Sequence, residues 1–160
     1  MTTTATTLEA KIQEMEVKMP GVSKMLQPKQ GSEDIRGLDR HYTVDPTDVA
    51  YTETEKYKVV ATKWEEHNWY NEVGGIEWIG WLRVYHQPKE GGGIKVALTP
   101  SIKTRDANNT AYDKPTLWGY DSVSLQPLED DTVRIAWANK NGHEGPAYEL
   151  HLETRQIKEL

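Results

Sequence analysis

The chain has no cysteine and no phenylalanine among its 160 residues. Without Cys there are no disulfides, thiolate metal ligands, CxxC redox pairs or cysteine nucleophiles. Without Phe, the packing it normally does falls to the 6 Trp and 8 Tyr. These rings bury much area and also make good contact surfaces, so each admits a structural and a ligand-binding reading. Basic excess is absent too: 19 Lys and Arg are scattered among 25 Asp and Glu, for a net charge of −6. That speaks against a general nucleic-acid binder and against binding to anionic membranes. No apolar run approaches the ~18 residues of a membrane-spanning helix. Met1–Thr7 has neither the basic nor the apolar region of a signal peptide, so the expected location is the cytoplasm or a virion.

Catalytic signatures are missing as well. The five histidines, His41, His67, His86, His143 and His151, show no HExxH or i, i+2 spacing. His67 reads as an exposed loop residue, His86 as a half-buried strand residue and His151 as solvent-facing. There is no Gly-x-Ser-x-Gly elbow, and Gly91–Gly93 matches neither a Walker loop nor a dinucleotide fingerprint. Glu90 with Glu129-Asp130-Asp131 reads as solvated hairpin tips more readily than as a hard-cation site. Asn108-Asn109-Thr110 is a glycosylation sequon with no secretory context. The expectation is a non-enzyme with no metal and no cofactor.

What is present begins with a short helix. Residues 8–19 follow a Thr-rich lead in which Thr6 or Thr7 can cap, and Pro20-Gly21 stops the run. Leu8, Ile12, Met15 and Met19 form one apolar stripe, which must pack on the parent domain or form a helix–helix seam between subunits. Residues 20–47 lack periodicity and read as an extended arm, so the chain divides into an arm (1–47) and a β-domain (48–160).

From residue 48 the pattern is β. Strands are predicted at Glu55–Trp64, Ile76–Gln87, Gly93–Thr99, Thr116–Gln126, Thr132–Ala138 and Ala147–Ile157, separated by Gly, Pro, Asn and Asp turns. Six to eight strands with short connections predict a mainly β fold, an antiparallel meander closed as a barrel or folded as a sandwich.

Residues 79–98 and 118–137 align without gaps at an offset of 39 with six identities, including Gln87-Pro88 and Gln126-Pro127. This reads as a duplicated hairpin. Ile76, Trp78, Leu82 and Val84 share one face, opposed by Ile94, Val96 and Leu98. In the second copy Val123 and Leu125 face Val133, Ile135 and Trp137. The first hairpin's other face carries Ile79, Trp81 and Tyr85. It is either buried too or a contact surface. With Trp69 and Tyr70, placed in a loop, and with Trp118 and Tyr120 in the second copy, it forms the candidate ligand or contact surface.

Two kinds of function follow. The first is a non-enzymatic structural protein of a homo-oligomer or a virion (capsid decoration or tail), assembled through the N-terminal arm and the aromatic face. The second is a binding protein, either a lipocalin-like barrel for a small apolar ligand or a carbohydrate-binding module.

Overall fold

Thr7 opens α1 (Leu8–Lys18): its hydroxyl accepts the Ala10 N–H at 3.1 Å. Glu16 ends the helical segment. Its carboxylate accepts from Gly21 N at 2.8 Å and Ser23 N at 2.9 Å, which steers the chain into a 3₁₀ turn at Ser23–Leu26. The Ser23 and Gly21 hydrogen bonds hold the Glu16 carboxyl at about 2.

The computed structural model describes residues 7–70, 76–99, 102–105, 120–139 and 141–160. Among them are ten strands: β1 (Lys29–Ile35), β2 (Leu38–Glu53), β3 (Tyr57–Tyr70), β4 (Ile76–Pro88), β5 (Lys95–Leu98), β6 (Ile102–Arg105), β7 (Ser122–Pro127), β8 (Thr132–Ala138), β9 (Glu144–His151) and β10 (Gln156–Glu159). They make two antiparallel sheets. The larger has the order β1-β2-β3-β4-β5, with β6 also on β4, and curls into a half-barrel; the smaller has the order β10-β9-β8-β7. No described helix is long and apolar enough to cross a membrane.

The large sheet is packed on both faces. Its inner face meets the small sheet over Val59, Ala61, Leu82, Val84, Ile135 and Trp137. Its outer face is covered by α1 and the 3₁₀ turn, where Ile12, Met15, Met19, Val22 and Leu26 pack on Val60, Trp64 and Tyr85. Tyr85 Oη also donates to Met25 O at 3.2 Å, pinning the turn to the sheet.

A bulge in β2 aligns the two layers. The register slips between Pro46, opposite Trp64, and Asp48, opposite Lys63. The slip leaves Thr47 unpaired and turns Asp48 inward. There Asp48 Oδ2 accepts the Val123 N–H of β7 at 2.8 Å, and Oδ1 meets Lys11 Nζ at 3.2 Å. At the opposite end, Asp131 Oδ1 accepts from Thr54 Oγ1 at 2.7 Å and Lys56 N at 3.1 Å.

Three expectations are corrected. Residues 29–47 are not an arm: β1 and most of β2 lie there, and β2 runs straight through the boundary set at residue 47. All seven residues of β1 are exposed, so no apolar alternation marked it. Second, the duplicated hairpins differ in register. Val84 opposes Ala97, whereas Val123 opposes Trp137 as expected. That one-residue difference puts Ala97 in the inner core and leaves Val96 and Leu98 exposed. Third, of the two readings of the Leu8, Ile12, Met15 and Met19 stripe, the inter-subunit seam gives way to packing on the parent domain, where Met19 is fully buried.

Candidate functional site

Beyond the bulge, the inner faces of β2, β3 and β4 form an end of the half-barrel's concave side, where Trp78 packs against the inner core and Trp69 is exposed. Side chains alternate along β3, so Lys63, Glu65, His67 and Trp69 project on this one face. Across the ladder, His41 stands opposite Trp69, Thr43 opposite His67 and Asp45 opposite Glu65. On the other flank, Trp78 is opposite His67 and Gly80 opposite Glu65.

The rings come in two pairs. His41 and Trp69 have centroids 5.7 Å apart and planes 15° from parallel. His67 and Trp78 lie 4.2 Å apart with a 30° tilt. Trp69 is 40% exposed and is the only Trp among the large hydrophobic residues exposed in the described structure.

Charge runs alongside the rings. Lys63 is fully buried at the deep end, 5.8 Å above the Trp137 ring, and its ammonium meets Glu65 Oε1 at 2.6 Å. Glu65 Oε2 lies 3.8 Å from His67 Nε2, which has no hydrogen-bond partner among the described residues. The His67 ring and the Lys63 ammonium hold the Glu65 carboxyl at about 2, so it is an acceptor at any ordinary pH. A recess of about 440 Å³ opens beside Glu65, lined also by Lys11, Thr47, Asp48, Asp121 and Ser122.

The sequence-derived candidates divide. Trp69 belongs to the concave end, but Tyr70 points to the other face, opposite Arg40. Neither is in a loop, because β3 extends to Tyr70. Ile79, Trp81 and Tyr85 lie on the outer face with the helix. Tyr85 is buried and Trp81 packs against that cluster, so this face is largely consumed by the chain's own helix. Tyr120 is half-buried and packs on the inner core, its ring over Gly145, where an added Cβ would lie 2.8 Å from a ring carbon. Trp118 and the sequon Asn108-Asn109-Thr110 lie outside the described residues.

Sequence reasoning missed Glu65, His67 and Trp78 as members of one site. The signal for them is the alternation Lys63-x-Glu65-x-His67-x-Trp69, which continues β3 beyond the strand end expected at Trp64.

Two other sequence features resolve differently. Glu129, Asp130 and Asp131 line a hollow with Glu149, His151 and Glu153, while Glu90 belongs to the other sheet's hairpin. No metal-type cluster of carboxylates and histidines occurs among the described residues. His86 is fully buried, with neither ring nitrogen hydrogen-bonded among the described residues. Burial, reinforced by Lys95 and Arg155, pushes its imidazole down to about 4.

No family model, no curated protein and no solved structure matches the chain.

Proposed function

We propose that the chain is a non-enzymatic binding module that takes a carbohydrate on the concave end of its large sheet. The carrying observation is Trp69, an exposed ring held nearly parallel to His41 on the face that also bears Thr43, Asp45, Glu65 and His67. A flat ring accepts the C–H face of a sugar, while carboxylate, hydroxyl and imidazole groups at its margin exchange hydrogen bonds with ring hydroxyls. An apolar ligand inside a lipocalin-like cup has less support, since Trp137, Tyr148, Leu82 and Leu150 fill the space between the sheets.

The test is affinity electrophoresis through a panel of soluble polysaccharides, followed by calorimetry with oligosaccharides of any that retard the protein. Retardation lost in Trp69→Ala and kept in Trp81→Ala is expected. A protein that no glycan retards, or that Trp69→Ala retards equally, contradicts the proposal.

A second reading is homo-oligomeric assembly, including a shell or virion role. It no longer draws on the helix stripe or the Trp81 and Tyr85 face, which cover one another. Its support is β1, an edge strand exposed along its whole length.

A further inference from the structure

We infer that two copies of the chain pair antiparallel through the free edge of β1, with Lys29 of each copy opposite Glu33 of the other. This rests on the assembly reading and is independent of the glycan site.

The strand has β2 on one side and no other strand on the other among the described residues. Its seven residues contain no proline and no bulge, two of the devices that spoil an edge; a third, charge, is present in Lys29, Glu33 and Asp34, and an antiparallel copy can pair two of these. Its outward-pointing groups follow from the turn. Ile35 pairs with Leu38 across a two-residue connection, Arg36-Gly37, with φ of 53° and 84° at the two positions. That is the tight primed turn, whose flanking residues exchange both backbone bonds. Lys29, Gly31, Glu33 and Ile35 therefore spend their N–H and C=O groups on β2. Gln30, Ser32 and Asp34 direct theirs to the free edge.

Two identical edges must set outward residues opposite outward residues, so the twofold axis passes through a residue and not between two. Centred on Glu33, the pairing opposes two glutamates. Centred on Ser32, it opposes Lys29 to Ile35 and Gln30 to Asp34, with no opposite charges in register. Centred on Gly31, it opposes Lys29 to Glu33 twice. Glu33 is already aligned for this by its ion pair with Arg40 on β2, which leaves its second carboxylate oxygen for the incoming ammonium.

The Gly31-centred register has a second consequence on the same face. It brings Ile35, 38% exposed at the hairpin tip, opposite Gln27 of the second copy. Gln27 lines a groove of about 410 Å³ with an apolar part, Leu8, Ile12, Leu26, Pro28 and Pro46, and a polar margin of Glu9 and Gln13. Ile35 lies on the outer face with Lys29 and Glu33, the face on which α1 packs, so the exposed side chain meets the groove without turning the strand. Symmetry repeats the contact at both ends.

Sedimentation velocity of the full chain over a concentration series is the test. A dimer that Lys29→Glu weakens about tenfold, and that the double variant Lys29→Glu with Glu33→Lys restores, is expected. Ile35→Ser weakens it too. Ser32→Pro abolishes it while circular dichroism stays unchanged, because the lost N–H points away from β2. A monomer at every concentration overturns the inference. A dimer indifferent to Ser32→Pro and to the charge swap also overturns it, while leaving assembly through another surface. Glycan retardation of these variants separates the two sites: Lys29→Glu, on the outer face and opposite Val44, retains it if the Trp69 platform binds sugar.

Discussion

His41 and Trp69 sit directly opposite each other on β2 and β3, with ring planes 15° from parallel. An exposed indole on a strand has freedom about two side-chain torsions, and a neighbouring flat ring removes part of it. His41 is therefore a positioning residue for the platform. Replacing His41 by Ala should weaken glycan binding by about three- to tenfold through lost preorganisation, with little change in melting temperature. Calorimetric titration checks this; unchanged affinity removes the role.

Trp81 provides the contrast. It packs with the outer cluster beneath the N-terminal helix. Trp81→Ala should destabilise the fold by roughly 3 kcal/mol, the low end of the usual cost for removing a large ring, and leave glycan affinity unchanged. Urea denaturation gives the first quantity. A variant as stable as the parent would mean that the helix does not cover this face in solution.

Lys63 and Glu65 form a short ion pair with the ammonium fully buried. Glu65→Ala strands that charge and should cost about 3 kcal/mol or more. The double change Lys63→Met with Glu65→Leu removes both charges and should recover most of the loss. Equal destabilisation in the single and double variants would contradict this description of the pair.

His86 makes stability depend on pH. Its imidazole, at about 4 in the folded chain and 6.5 when unfolded, binds a proton more readily in the unfolded state. The folded state is therefore fully favoured above pH 6.5, loses stability as pH falls toward 4, and levels off below. The loss is at most about 3 kcal/mol. Glu16 and Glu65 stay ionised down to pH 5, and the difference between wild type and His86→Leu in melts at pH 7 and pH 5 reports this one histidine. His86→Leu should flatten the profile there. An unchanged slope would assign it to another group.

Much of the architecture was legible because burial leaves a period in the sequence. The 4-3-4 stripe of α1 and the alternation of β7 and β8 follow from faces that are buried on one side. β1 was illegible for the same reason: Lys29–Ile35 buries nothing, so nothing selects an apolar residue at alternate positions. The register of β5 was lost because Ala97 gave too weak a core signal beside Val96 and Leu98, and one slipped residue exchanges faces. The site was half legible. Trp69 stood out by type, but Glu65, His67 and Trp78 joined it only when β3 extended to Tyr70 and brought them onto one face of two paired strands. Nor did the outer-face aromatics reveal their cover, since the helix that hides them is distant in sequence.

The most direct test is the retardation of wild type, Trp69→Ala and Trp81→Ala on one glycan panel under identical conditions. Wild type and Trp81→Ala should be retarded by the same polysaccharides, and Trp69→Ala should migrate as in a blank gel while melting within a few degrees of wild type. Equal retardation of wild type and Trp69→Ala, or loss confined to Trp81→Ala, would contradict binding at the concave end.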